Sequence, residues 1–298
     1  MNLSIINPKV SVCVITYNQE KYIRQCLQSI IDQKTNFNFE VIVGEDCSTD
    51  GTRLIVQEFE KRYQGIVKPI YQKKNIGGGC HNFLTVHDAA VGEYIAHVDG
   101  DDYCLPGKLQ AQADLLDMDP DCNIVFHRML RLKPSGEIGE GPLLNIRNVA
   151  EMRFDRRAIL QYTAIGAHSS KMYRKLFRNY ELPNFDLIDY FSHVEQVDRG
   201  YARFAGHECL GVYRIGDGIS AGGIRPRKAL AKSFIYFCKK YPQYRLQINT
   251  GVLAYLVADL KNARQTWLVF FLAWLQTFHA YSIPNLIQSL SFIRHFKK

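Results

Sequence analysis

Three carboxylates crowd into four positions at Asp99, Asp101 and Asp102, with Gly100 between the first two. Like charges this close repel, so the cluster calls for a bound cation or for protonation to offset the repulsion. Carboxylate oxygens suit hard ions such as Mg²⁺ or Mn²⁺, and Mg²⁺ takes one or two protein carboxylates and leaves its other positions to phosphate and water. A second acidic loop, Gly44–Asp50, contains Asp46, whose carboxylate can accept the imide N–H of a uracil or thymine ring. Ser48 to Thr52 reads as the cap of a following helix. Thr16, Tyr17 and Asn18 form a third polar segment, in which the Tyr17 ring can stack on a nucleobase. Gly77, Gly78 and Gly79 lie between Asn75 and Asn82, a turn able to bring backbone N–H groups near phosphate or ribose. No Lys-Ser or Lys-Thr follows those glycines, so it is not a P-loop.

Each acidic loop follows an apolar run. Val10–Ile15, Phe39–Val43, Ile66–Tyr71 and Tyr94–Val98 have the β-branched character of buried strands. Between them Glu20–Ile31, Thr52–Tyr63 and His81–Ala90 carry apolar residues at helical spacing. Strands alternating with helices imply a parallel sheet, and such sheets bind ligands beyond the carboxyl ends of their strands. That edge is where the three polar segments fall. Further on, Ile124–Phe126 and Ala202–Tyr213 read as strands, Asp186–Arg199 as a helix, and Pro134–Gly141 as turn-rich.

The chain has 298 residues, 47% of them hydrophobic and 22% charged, enough for a sizeable core and unlike a disordered chain. Its net charge of +8 is uneven: from Pro226 onward eleven Lys and Arg face a single acid, Asp259. A basic tail points to an anionic partner, nucleic acid or anionic lipid. The tail contains nine consecutive apolar residues, Trp267–Leu275, and no Asp, Glu, Lys or Arg between Arg264 and Arg294. Phosphate contacts need interspersed Lys and Arg, which argues against nucleic acid. Gln276, Thr277, His279 and Pro284 interrupt the run, so an interfacial or re-entrant helix is expected in place of a full span; a core helix with a solvated basic face is the alternative. The eight cysteines are scattered with no CxxC, which excludes a zinc framework and suits free thiols in a reducing cytoplasm. The start reads as no signal peptide.

VSVCVITYNQEKYI (10–23), EVIVGEDCSTDGT (40–52), NIGGGCHN (75–82), GEYIAHVDGDDYCLPGKL (92–109) and VYRIGDGIS (212–220) together resemble family-2 glycosyltransferases of the GT-A fold. The resemblance spans roughly residues 8–223. It implies a Rossmann-like, mostly parallel α/β sheet flanked by helices over residues 1–225; residues 226–298 are expected, from their own composition, to form a basic, apolar helical extension that associates with a membrane. It also implies inverting transfer from a nucleotide-diphosphate sugar, commonly a UDP or dTDP donor. Tyr17 and Asp46 are then expected at the base, Asp99 near ribose and phosphate, and Asp101 as principal ligand of Mn²⁺ or Mg²⁺. Asp102 would support the loop leading to Pro106. The expected donor-binding set is Thr16, Tyr17, Asn18, Asp46, Asn82, Asp99 and Gly100, with Asp101 and Asp99 as metal ligands. In the second block Glu45-Asp46-Cys47-Ser48 replaces the more usual Asp-Asp-Gly-Ser, which keeps the second acid.

An inverting transfer needs a base for the acceptor hydroxyl on the face opposite the leaving diphosphate. Asp189 is the candidate, in a position that resembles the acidic residue opening a helix in this part of the family. Asp186 and Glu195 are rivals, although Glu195, six residues on, is aimed away from Asp189 by helical geometry. His168 is a further candidate for the diphosphate or acceptor, and Arg174, Arg214 and Ser220 for the diphosphate. The expected acceptor is a glycan or lipid-linked glycan of surface polysaccharide assembly, reached at the inner face of the cell membrane. A nucleotidyltransferase is the rival enzyme class, but it would carry a basic glycine-rich loop after the first strand, where Thr16–Glu20 is neither.

Overall fold

The computed structural model describes residues 7–75, 77, 79–140, 148–163, 165–216 and 223–296, with side chains through 290. Ser220 lies outside the described residues, as do Ile76 and Gly78 of the glycine-rich turn.

The first half alternates as its periodicity requires. β1 (Val10–Thr16), α1 (Ile23–Ile31), β2 (Phe39–Glu45), α2 (Thr52–Arg62), β3 (Val67–Tyr71), α3 (Cys80–Ala89) and β4 (Tyr94–Asp99) follow in order. Parallel pairing sets them side by side as β3-β2-β1-β4. β1 is almost wholly buried because its two faces are both covered. Val10, Val12 and Val14 pack with Ile23, Leu27, Val56 and Leu109 on one face. Cys13, with Ile42 and Ile95 of the neighbouring strands, packs with Val86 on the other. The alternation is the two-residue period of a strand between two helical layers.

The second half is less local. β5 (Tyr103–Cys104) and α4 (Lys108–Met118) lead to β6 (Cys122–Leu132), far longer than the Ile124–Phe126 segment read from sequence. The turn-rich stretch is the hairpin from β6 to β7 (Ile138–Glu140). β8 (Phe154–Asp155) and α5 (Arg156–Tyr162) precede β9 (Met172–Arg174), which inserts antiparallel between β4 and β6. α6 runs only Asp189–Gln196, because the residue before it, Ile188, is extended (φ −128°, ψ 162°). β10 (Tyr201–Arg214) then pairs parallel with β6 and antiparallel with β5 and β8.

Four helices follow: α7 (Ile224–Lys240), α8 (Arg245–Lys261), α9 (Trp267–Gln276) and α10 (Ser282–Phe296). They close one face of the sheet's core. The apolar cluster there runs without a break from Cys13 and Ile42 through Phe126 to Phe234, Val252 and Phe270. Gly251 of α8 sits so near the Leu160 and Gln161 carbonyls that a Cβ would meet each at 3.0 Å. The tail's single acid, Asp259, is buried in an ion pair with Arg227 and accepts the Thr266 hydroxyl at 2.5 Å, tying α7 to α8 and α9. Among the described residues no helix is long and apolar enough to cross a membrane. All eight cysteines are free, as the sequence led us to expect.

Candidate active site

The register of three neighbouring parallel strands gathers the polar loops. Thr16 pairs with Glu45 across β1 and β2, and Ile15 pairs with Asp99 across β1 and β4. The Asp46 amide donates to the Thr16 carbonyl (3.1 Å) and the Gly100 amide to the Ile15 carbonyl (2.9 Å). The exits of β1, β2 and β4 are thereby one surface.

Local chemistry fixes each loop. Asn18 adopts a left-handed φ of 51°, donates its amide to Ser48 Oγ (3.0 Å) and accepts the Thr49 amide at Oδ1 (2.8 Å). Within the expected Ser48–Thr52 cap the task falls to Asp50, which accepts the Thr52 amide (3.0 Å), while Ser48 staples the first loop. Glu45, the departure in the second block, is fully buried, accepts the Ser48 amide (2.6 Å) and pairs with Arg53 (2.5 Å). Thr16 donates to Gln19 Oε1 (2.8 Å), and Gly100 leaves room for that amide: a Cβ at 100 would stand 2.5 Å from it. Tyr17 is 43% exposed beside these groups, while Asp46 is buried and its carbonyl accepts from Asn75 (3.3 Å). Asn82 is buried too, donating to the Gly44 carbonyl (2.7 Å), with no partner at Oδ1 among the described residues.

At the exit of β4 the acids diverge in role. Asp99 accepts from His97 Nε2 at one oxygen (3.1 Å) and from Ser169 Oγ at the other (3.1 Å). Burial works against its charge, but the His97 hydrogen bond, Ser169 and Lys171 outweigh it and hold the carboxyl below its usual range. Asp102 is buried and accepts the Arg214 amide at Oδ1 (2.9 Å), and among the described residues its Oδ2 has no hydrogen-bond partner. Burial first, and the charges of Asp99 and Asp101 next, push its carboxyl well above the usual value. Three carboxylates so close together, one of them with an oxygen that has no hydrogen bond among the described residues, fit a divalent cation. Among the described residues no group of three or more His, Cys, Asp or Glu is arranged to hold one. A cation there would have the one- or two-carboxylate kind of donor set, which leaves positions for diphosphate and water.

The three candidate bases separate on their partners. Asp186 is exposed and paired with Arg225 (2.7 Å), and Glu195 is taken by Lys240 (2.8 Å) and the Tyr241 hydroxyl (3.1 Å). Asp189 opens α6 and accepts only its neighbour Tyr190's amide (2.9 Å) among the hydrogen bonds described. It is solvent-accessible, yet enough protein crowds it that desolvation, with the charge of Asp99, raises its carboxyl against the pull of the Tyr190 amide and Lys171.

Tyr213 joins the halves. Its hydroxyl is pushed up to about 12 by burial and then by the charges of Asp102, Asp99, Asp101 and Asp189. Sequence reasoning missed it, along with Ser169 and Lys171; only β10 and β9 reveal them. His97 was legible, two residues from Asp99 on a strand and so on the same face. His168 borders the site with its ring 4.0 Å from that of His97. Arg214 frames the rim, its guanidinium over Tyr22 and Tyr103 (4.7 and 5.4 Å) and bonded to Gln25. Arg174 does not belong there: it pairs with Tyr94 at the opposite end of β4, and three backbone carbonyls occupy its guanidinium.

Comparison with known proteins agrees with this arrangement. Residues 11–179 match the model of glycosyl transferase family 2. An uncharacterized protein of Mycobacterium tuberculosis (strain ATCC 25618 / H37Rv) is 36% identical over 69% of this chain, which spans 58% of that relative's length. TuaG of Bacillus subtilis (strain 168), named for teichuronic acid biosynthesis, is 30% identical over 70% of this chain and 79% of its own. Among solved structures, residues 1–349 of TarS from S. aureus with UDP-GlcNAc superpose with a TM-score of 0.70, covering 96% of this chain and 90% of that one at 17% identity. The mannosyltransferase PcManGT of Pyrobaculum calidifontis, in complex with GDP-Man and Mn²⁺, superposes at 0.58 over 97% and 86% at 17% identity. The fold is accordingly GT-A. From its motifs, its sheet order and these relatives together, the chain belongs to glycosyl transferase family 2.

Proposed function

We propose that this protein is an inverting glycosyltransferase that moves a sugar from a UDP-sugar to a glycan or lipid-linked acceptor in surface polysaccharide assembly. One observation carries the reading: the register of β1, β2 and β4 sets Thr16–Asn18, Glu45–Asp46 and Asp99–Asp102 at one edge of the sheet, where the Asp46 and Gly100 amides bond to the Thr16 and Ile15 carbonyls. The UDP-GlcNAc bound by TarS and the teichuronic acid role in TuaG's name support the donor and acceptor classes.

In this reading Tyr17 stacks on the uracil and Asp46 accepts its imide N–H. Asp99 and Asp101 would hold Mn²⁺ or Mg²⁺, which would supply charge neutralisation for the leaving diphosphate. Asp189 accepts the proton of the acceptor hydroxyl as that oxygen attacks the anomeric carbon; a carboxyl raised toward neutrality is the better proton acceptor. Asn18 and Gly100 shape the donor loops, and Asn82 fixes the end of β2 beneath the nucleotide. Residues 1–225 carry this chemistry.

Residues 226–298 hold the protein to the cytoplasmic face of an anionic membrane. Leu268, Leu272 and Leu275 recur at helical spacing on α9, each about half exposed, and Ile283 and Ile287 do so on α10. Lys261 and Arg264 stand exposed just before α9. An apolar stripe with flanking cations suits an interface of anionic headgroups and acyl chains.

The test is release of UDP from a panel of UDP-sugars with Mn²⁺. Slow donor hydrolysis is expected without acceptor. A folded sample silent across UDP, dTDP and GDP donors would refute the assignment.

A further inference from the structure

Behind Asp99 lies a line of buried polar groups that transfer chemistry does not itself require. His97 Nε2 stands 3.1 Å from Asp99 Oδ1, and His97 Nδ1 stands 3.0 Å from His87 Nε2. His87 Nδ1 in turn stands 2.8 Å from the Tyr173 hydroxyl. All three side chains are fully buried. The rings are walled in: Phe83 lies 3.9 Å from His87 and 5.3 Å from His97, and His168 4.0 Å from His97. Burying three polar side chains is costly unless every group has its partner, so the order of the protons matters.

That order follows from the donor inventory. An ionised Asp99 can only accept, so His97 carries its hydrogen on Nε2. A neutral imidazole has one N–H, which makes His97 Nδ1 an acceptor. His87 Nε2 must then donate to it, and His87 Nδ1 must accept from the Tyr173 O–H. Every hydrogen in the row points toward Asp99. Ser169 holds the other carboxylate oxygen (3.1 Å) and accepts the Asp99 amide at the same hydroxyl (3.0 Å).

We propose that Tyr173, His87 and His97 form a one-way hydrogen-bond relay whose role is to position the Asp99 carboxylate for the metal–diphosphate of the donor. These are positioning residues, since none touches the reacting atoms, and the inference rests on the donor-site reading of Asp99. Hydrogen-bond partners of ligating groups commonly govern metal affinity by about 10–100-fold. The relay is assembled from three elements, β4, α3 and β9, so it also couples the strand inserted beside β4 to the geometry of the donor loop.

Two measurements test it. Long-range ¹H–¹⁵N correlation of the histidine rings reads tautomers directly in the full chain without ligand. His87 and His97 are expected as neutral Nε2–H forms, and Tyr173→Phe, which removes only one hydroxyl, is expected to leave His97 as Nε2–H while the His87 Nδ1 resonance shifts as it loses its donor. Wild-type His97 found as Nδ1–H or as imidazolium, or a His87 Nδ1 resonance indifferent to Tyr173→Phe, would overturn the relay. In the second, UDP with Mn²⁺ is titrated by calorimetry. His97→Phe should weaken binding at least about tenfold, and His97→Gln, whose amide can still donate to Asp99, should recover to within about threefold of wild type. Wild-type affinity in His97→Phe, or equal loss in both variants, counts against positioning. Asp99→Asn separates the two ideas: if it binds as wild type, the donor-site reading of Asp99 fails; if it binds weakly while His97→Phe binds normally, only the relay fails.

Discussion

Asn82 Nδ2 donates to the Gly44 carbonyl at 2.7 Å, and the Asn82 Oδ1 lies 2.2 Å from where a Cβ on Gly44 would stand. The contact locks α3 onto the last turn of β2, one residue before the Glu45–Asp46 loop. Gly44→Ala should therefore overpack the seam and cost about 1–3 kcal/mol of stability. Urea unfolding checks this; an unchanged midpoint would mean that α3 shifts freely.

Asp101→Ala should raise the Kd for Mn²⁺ in the presence of UDP about tenfold or more, because it leaves Asp99 as the sole ligand from the loop. Calorimetry or Mn²⁺ electron paramagnetic resonance reads the change. Wild-type affinity would remove Asp101 from the metal site.

Asp189→Asn should keep UDP-sugar binding and lower transfer about 10²–10⁴-fold, the usual share of a general base. The base must be ionised, and its carboxyl is raised by desolvation. Wild-type kcat/KM should therefore fall as pH drops through a value above the usual ~3.9 of aspartate. A flat profile down to pH 4 would argue for another base.

Lys171 is fully buried, and desolvation pushes its ammonium down to about 7 from 10.5 in spite of Asp189 and Asp99. Between those values the unfolded chain binds more protons than the folded one, so this lysine makes stability rise with pH there. As pH falls through about 7 the buried amine must carry its charge, and that contribution is lost. Lys171→Met should flatten the slope of stability against pH across the window. Parallel curves for variant and wild type would show that the amine is charged throughout.

Replacing Leu268, Leu272 and Leu275 together by serine should weaken co-sedimentation with vesicles containing anionic lipid by about tenfold or more, given roughly 25 cal/mol per Å² of apolar surface buried. Thermal stability should change little, since these side chains are already about half exposed. Added salt should weaken wild-type binding as it screens Lys261 and Arg264. Equal sedimentation of variant and wild type would locate the membrane contact elsewhere.

The first four strands, their crossover helices and the loops at their exits were readable from the chain because each signal is local. A two-residue or 3.6-residue period needs only the neighbouring residues to be seen. The grouping of Tyr17, Asp46 and Asp99 followed from parallel pairing alone. What escaped was placed by contacts across long stretches of sequence. β9 enters the sheet antiparallel beside β4 and brings Ser169 and Lys171 under the acidic loop. β10 carries Tyr213 and the Arg214 amide to Asp102. Arg174 looked like a phosphate ligand by residue type, but its register sends it to the far edge.

Composition and periodicity were sufficient to specify a parallel α/β core with acids at the strand exits, since hydrophobic alternation leaves few other ways to bury those strands. They could not choose among Asp186, Asp189 and Glu195. What sets them apart came when the C-terminal helices folded back, for Arg225 captures Asp186 while Lys240 and Tyr241 capture Glu195. A carboxylate's availability depends on which cation the fold sets beside it, and no spacing along the chain records that.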